Sequence, residues 1–351
     1  MDSYLLSSKN PSEFLIKMIS ASVSSYDFES IYYSDIMPNL KNKKLLLAID
    51  LDDFGFSNEI HDWIIRMHKI GSDSLGGSVA ALLIRGTGDL YTKTIAQNII
   101  FHMNQMGCAF VGHPLVEAIG NLRNFLTMQK VIKKELSEVC LDCCKNLGER
   151  LVNFESPSFS NPNIVVLHSS NENHSNTLRY WNMIKSYIPF DLVHEIHIEN
   201  GTVRDCHGCP FTMCLHYGKQ RSCFYGGVMV DEVYPALLNA DIVILLCPNY
   251  NDALTANMSA VINRLTALYR TTKFYNKIFY SVIVSGNSGS DALAKQLISA
   301  LNMNKSFTLP PYFATMATAN DYKAIFDVPD IALKSKKFAK HIETNFRNYT
   351  F

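Results

Sequence analysis

Two groups of side chains in this 351-residue sequence have the types and spacing to do chemistry. The first lies in residues 164–177, IVVLHSSNENHSNT, where an apolar run gives way to hydroxyls and amides. Ile164, Val165, Val166 and Leu167 read as a parallel strand covered on both faces. Leu178, Trp181, Ile184 and Ile188 then recur at helical spacing, which sets Ser175, Asn176 and Thr177 around a first turn whose backbone N–H groups lack intrahelical acceptors. A phosphate fits such a turn; an ordinary capped strand-to-helix connection is the alternative. The loop has neither G-x-G-x-x-G nor the Gly-Lys-Ser/Thr ending of a Walker loop. The second group is DCHGCPFTMCLHYGKQRSC, which places Cys206, Cys209, Cys214 and Cys223 as one set of four thiols. His207 and His216 are expected to be solvated loop residues, and Cys140, Cys143 and Cys144 structural.

Positioning these groups falls to alternating strands and helices, and the chain reads as the same message twice. Residues 78–103 match 278–301 as strand, Gly-containing loop and helix; 43–70 parallel 240–268; and YLLSSKNPSEFLIKMI parallels VVLHSSNENHSNTLRYWNMI. This is the pattern of an internal duplication, and of an α/β protein with mainly parallel sheets and helices on both faces. The copies differ between their second and third strands, where the first has only the short connector SDIMPNLKNK and the second spends residues 199–240. The expected organisation is a domain at 1–128, a charged helical linker at 129–162 ending in SPSFSNPN, a second domain at 163–320 and a helical tail at 321–351. In the tail, Phe338 and Ile342 could dock on either half, but a solvated surface helix is the default.

Composition narrows the class. Basic and acidic side chains balance at 32 each, so nothing calls for nucleic acid. Charged residues are 18%, below the roughly 25% usual in soluble domains, which suits a large core with cofactor-sized crevices. No basic-then-apolar leader opens the sequence and no segment approaches the ~18 to 20 apolar residues that span a bilayer, so a cytoplasmic protein without membrane partners is expected. Nine cysteines in such a chain argue for thiol or metal chemistry over a disulfide framework.

ADIVILLCPNYNDALTANMSAVINRL supplies a third element: a buried strand, a Pro-Asn-Tyr-Asn loop and a helix with Met258, Val261, Ile262, Leu265 and Tyr269 on one face. With these motifs in order, residues 164–320 resemble the flavodoxin-like NAD(P)H-dependent FMN reductases. The resemblance implies two flavodoxin-like, doubly wound parallel-sheet domains in tandem, the first degenerate. It implies that Ser169, Asn171, Ser175, Asn176 and Thr177 grip the FMN phosphate, that Pro248, Asn249, Tyr250 and Asn251 border the flavin ring, and that Gly286, Asn287, Ser288 and Gly289 form a third wall. The family's usual basic residue in the first loop is absent between Ser169 and Asn176, which leaves the phosphate charge to backbone dipoles and polar side chains. Doubly wound sheets do bind ligands beyond their carboxyl ends where strand order reverses, and a flavin accounts for the lack of a Ser-His-Asp or paired-carboxylate constellation.

The implied activity is an FMN-dependent oxidoreductase that passes hydride from NAD(P)H to a quinone, flavin, nitro compound or protein acceptor. Iron-sulfur flavoproteins of the same broad family carry a compact cysteine run near this place. Cys206, Cys209, Cys214 and Cys223 could therefore hold a [4Fe–4S] cluster or zinc, although their C-x2-C-x4-C-x8-C spacing is wider than that pattern. A single-electron carrier is thus one alternative; a thiol or zinc redox sensor on a flavodoxin scaffold is another. The first copy replaces Pro-Asn-Tyr-Asn with the acidic DLDDFGFSNE, which should repel a phosphate or flavin, so no cofactor is expected there. It could instead act as a built-in partner in an internal pseudo-dimer, where relatives form homodimers.

Overall fold

The computed structural model describes residues 1–170, 174–199 and 201–346. It forms two compact units, Met1–Glu155 and Ser156–Phe351. In the first, β1 (Ser3–Ser7), β2 (Glu29–Tyr32), β3 (Lys44–Asp50), β4 (Val79–Gly86) and β5 (Ala109–Ile119) make an all-parallel sheet in the order β2-β1-β3-β4-β5. In the second, β6 (Ile164–His168), β7 (Val193–His197), β8 (Ile242–Asn249), β9 (Ile278–Ser285) and β10 (Ala314–Thr318) repeat that order as β7-β6-β8-β9-β10. The central strands are apolar without interruption, Leu45 to Ile49 and Ile242 to Cys247 being buried throughout, because helices cover both faces. Two flavodoxin-like α/β domains stand in tandem, and the segments that match in sequence hold equivalent strands: β3 with β8, β4 with β9.

The halves diverge where the sequence does. From β2 to β3 the first unit crosses without a helix, over residues 33–43, whereas the second inserts the helix Phe211–Lys219, a wide turn at Met229–Val233 and the helix Tyr234–Asn239. The first copy is pared down at this point.

The segment expected to link the domains instead contributes a core helix to the first unit. Leu136–Val152 presents Val139, Cys140, Cys144, Leu147 and Leu151 to a cluster shared with Leu15, Met18, Leu46 and Leu83. Its cysteines are structural packing, and burial pushes the Cys143 thiol up to about 11. The helix crosses Glu13–Val23 so closely at Gly148 that a Cβ there would overlap the Ser22 carbonyl oxygen. Gly148→Ala should therefore cost the first unit about 1–3 kcal/mol, read as a lower urea midpoint for the transition of that unit in the full-length protein.

The C-terminal helix, Ile331–Glu343, is not a solvated surface helix. Ile331, Ser335, Phe338, Ala339 and Ile342 are buried, Phe338 meets Tyr280 edge-on at 5.7 Å, and Tyr280 Oη donates to His341 O at 2.9 Å. The amphipathic stripe was legible, but its partner, a tyrosine on β9 some sixty residues earlier, was not. His341 stacks on Tyr312 with centroids 4.6 Å apart. Burial, then the charges of Lys337 and Lys340, lower its pKa to about 4 from 6.5. A histidine held neutral in the fold stabilises it above the unfolded value and loses that contribution as protons bind. The second unit should thus weaken as pH falls from 6.5 towards 4, and His341→Phe, which keeps the stack, should flatten that dependence in urea titrations across the range.

Candidate functional site

Three loops leave the carboxyl ends of β6, β8 and β9, on the side where the chain, having paired β7 to one edge of β6, returns to the other edge with β8. Such a reversal makes adjacent loops run apart and leaves a crevice. Each loop owes its shape to polar side chains.

After β6, Ser175 caps the helix Asn176–Lys185, its Oγ accepting from Leu178 N at 3.1 Å. Ser169 Oγ bonds Thr255 Oγ1 at 2.9 Å. Thr255 in turn caps the helix Ala256–Arg264 by accepting from Met258 N at 3.3 Å, so the residue just after β6 is tied to the cap of the helix after β8. Ser170, 3% exposed, has an Oγ with no partner among the described residues. Asn176 lies inward: its amide donates to Ala319 O at 3.2 Å and Asp321 O at 2.8 Å, and it fastens the helix to the segment after β10. Thr177 is buried beside it. Asn171 falls outside the described residues.

After β8, Asn249 is the hub. Its Nδ2 reaches Asp252 Oδ1 at 3.1 Å, Ser285 Oγ at 3.0 Å and Ser288 O at 2.9 Å, which joins the Pro-Asn-Tyr-Asn loop to the end of β9. Its Oδ1 is buried and unpartnered among the described residues. Asn251 and Asp252 hold φ of 56° and 55°, a left-handed pair that turns the loop sharply, and Gln296 clamps it through Asp252 O and Leu254 N at 2.9 and 3.3 Å. Tyr250 projects from this loop 64% exposed, and Pro248 lies buried in the strand.

After β9, Gly289 sits at φ 86° as the residue before the helix Ser290–Leu297, and a Cβ there would overlap Asp252 Oδ1. Gly286 is close enough to Asn320 Oδ1 that a Cβ would approach to 2.8 Å. Asn287 and Ser288 are exposed, and with Gly289 they border a groove of about 750 Å³ that also reaches Met316, Thr318 and Lys334.

The expected phosphate, ring and third-wall loops therefore stand side by side, with Ser175, Asn249 and Gly289 shaping them. Sequence reading missed Ser170, Thr255, Asp252, Ser285 and Gln296; of these only Thr255, three residues before Met258 in a capping pattern, left a local signal. The four loop cysteines stand apart: Cys206, Cys209, Cys214 and Cys223 all line one cavity, interleaved with Tyr217, Phe224 and Tyr225. Among the described residues no three His, Cys, Asp or Glu side chains are grouped to hold a metal ion.

Residues 162–321 match the family model for NADPH-dependent FMN reductases. The second unit thus carries the match to this family, which supports an NAD(P)H-dependent flavin oxidoreductase in general terms. The match takes in just under half of the chain. Among solved structures, the chain is similar to an NAD(P)H:quinone oxidoreductase from Methanothermobacter marburgensis (11% identity, 52% of this chain and 98% of that one, TM-score 0.39). It is also similar to a WrbA-like flavodoxin protein from Agrobacterium tumefaciens (13%, 52% and 97%, TM-score 0.35) and to an azoreductase from Bacillus anthracis (13%, 52% and 98%, TM-score 0.34). No curated protein matches the chain. Among the described residues no helix is long and apolar enough to cross a membrane.

The donor set fits FMN. A capped helix N-terminus and, with no partner among the described residues, a buried hydroxyl at Ser170 and an acceptor at Asn249 Oδ1 are what an acidic phosphate and a ring bearing N–H and carbonyl groups need.

The first unit fills the equivalent place with its own anion. Ser12 caps Glu13–Val23, and the Asp50 carboxylate at the end of β3 takes Ser12 N at 2.7 Å and Ser12 Oγ at 2.7 Å, with Arg85 Nη1 at 3.8 Å. A carboxylate on a helix N-terminus does what a bound phosphate would. Asp50→Ala should remove both bonds and lower the stability of the first unit by about 1–3 kcal/mol, measured as the shift of its urea transition.

Proposed function

We propose that the chain passes reducing equivalents from NAD(P)H through FMN to a small-molecule acceptor, such as a quinone, a flavin or a nitro compound, or to a protein acceptor. The observation that carries this reading is the Asn249 hub, which draws the loops after β8 and β9 into one fixed wall beside the capped loop after β6. When bound, FMN supplies hydride acceptance and donation, so the protein's part is binding, orientation and electrostatics.

In this reading the N-terminus of Asn176–Lys185 and the hydroxyls of Ser169, Ser170 and Ser175 hold the phosphate, with no arginine or lysine in the described part of the loop. Asn171 belongs to the same set by its place in the sequence. Asn176 and Thr177 act from beneath by fixing the helix. Asn249 and the Pro248–Asn251 backbone orient the ring edge, exposed Tyr250 covers a face, and Asn287 to Gly289 bound the other side. The groove of about 750 Å³ beyond Gly289 offers an approach for nicotinamide or acceptor.

Protein purified under anaerobic conditions should show flavin absorbance bands and release FMN on acid extraction. Asn249→Ala removes three hydrogen bonds and should raise the FMN dissociation constant roughly tenfold or more, and Ser175→Ala by less, with circular dichroism unchanged. A colourless protein that takes up no added FMN would refute the reading.

A further inference from the structure

The cysteine-rich segment encloses a cavity of about 160 Å³ that the flavin reading leaves unused. Its wall is mostly apolar and includes Met213, Cys214, Tyr217, Cys223, Tyr225 and Arg264. Arg264 is 3% exposed. One guanidinium nitrogen donates to Gly226 O at 2.9 Å, and the buried Nε has no partner among the described residues. No carboxylate lines the cavity, and no ion pair of Arg264 occurs among the described residues. A guanidinium this deep costs free energy that neutral partners offset only in part.

Other basic groups lie near, while the Asp205 carboxylate, outside the lining, is held by Cys206 N at 2.6 Å and Asn263 Nδ2 at 2.9 Å. Arg270 also lines the cavity, its guanidinium 4.8 Å from the Phe211 ring. Lys273 and Lys305 lie 3.7 and 5.6 Å from the neighbouring Tyr269 ring. Burial and then the charge of Arg270 hold the Lys305 ammonium below its usual range. Two guanidiniums without a carboxylate attract an anion and oppose a bare metal cation. Size and lining say what else the anion carries, since an apolar cavity of roughly 150 Å³ accommodates one benzene ring.

We propose that this cavity binds a small aromatic carboxylate, its ring among Met213, Tyr217 and Tyr225 and its carboxylate on Arg264. The site is separate from the flavin loops: Arg264 ends the nine-residue helix that Thr255 caps, which places it about 13 Å along the axis at 1.5 Å per residue. The proposal therefore does not rest on FMN binding.

Benzoate is the probe, and the readout is the rate at which iodoacetamide, a neutral reagent, alkylates Cys214 and Cys223 in the full-length protein, followed by peptide mass mapping with and without added FMN. Benzoate should slow both cysteines saturably. Benzyl alcohol, similar in size and uncharged, should protect roughly tenfold more weakly or worse. Arg270→Gln, at an exposed position, should weaken benzoate several-fold, and Arg264→Gln should abolish the preference for benzoate over the alcohol. If Arg264→Gln does not fold, the two ligands on the wild type and the Arg270 variant still decide. Equal protection by benzyl alcohol, equal protection by inorganic phosphate, or no protection in the millimolar range would each overturn the assignment. Because these outcomes are read from thiols and not from flavin, they stand whether or not FMN binds.

Discussion

The site depends on one pairing, that of β6 with β8. Hydrogen bonding runs from Ile164 opposite Ile242 to His168 opposite Leu246, so the loops that follow start at neighbouring points and must diverge. The residue just after β6 then comes within reach of the cap of the helix after β8, as the contact between Ser169 and Thr255 shows. The register also sets where β8 ends, which leaves Asn249 level with Ser285 of β9. Moving that strand by one residue would turn Asn249 to the other face and dissolve the hub.

The same arrangement in the first unit shows what makes the difference between a site and a scaffold. Both units keep a serine at the helix cap, Ser12 and Ser175, and both bring a polar side chain to the end of the third strand. In one unit that side chain is Asp50, which turns back onto the cap; in the other it is Asn249, which turns forward onto the next loop and leaves the cap open. The choice between a carboxylate and an amide at the strand end thus decides whether that side chain sits on the helix cap or fastens the next loop.

Much of this was legible in the residues. The apolar runs at 164–167 and 242–247 gave strands, the Ser175 cap gave the start of a helix, and the repeated segments gave two sheets of one order. What was hidden involved partners far apart in sequence. Asn176 was expected to face a phosphate, but its amide is used by Ala319 and Asp321, 143 and 145 positions away. Asp50 was read as merely repulsive, because nothing local says that it meets Ser12. The helix Leu136–Val152 looked like a linker because its charged face is conspicuous and the glycine that seats it against Ser22 is not. Local patterns report elements and caps; they do not report which buried face answers which.

Asp50 also makes the two halves unequal in what they owe to the cell. A domain that gains stability from a cofactor does so in proportion to the logarithm of the free cofactor concentration, and the second unit carries that dependence. In the first, the carboxylate on the Ser12 cap is covalently part of the chain and is present at any flavin concentration. A change in flavin concentration would therefore act on the second unit through this term, while the Asp50 contribution to the first stays constant.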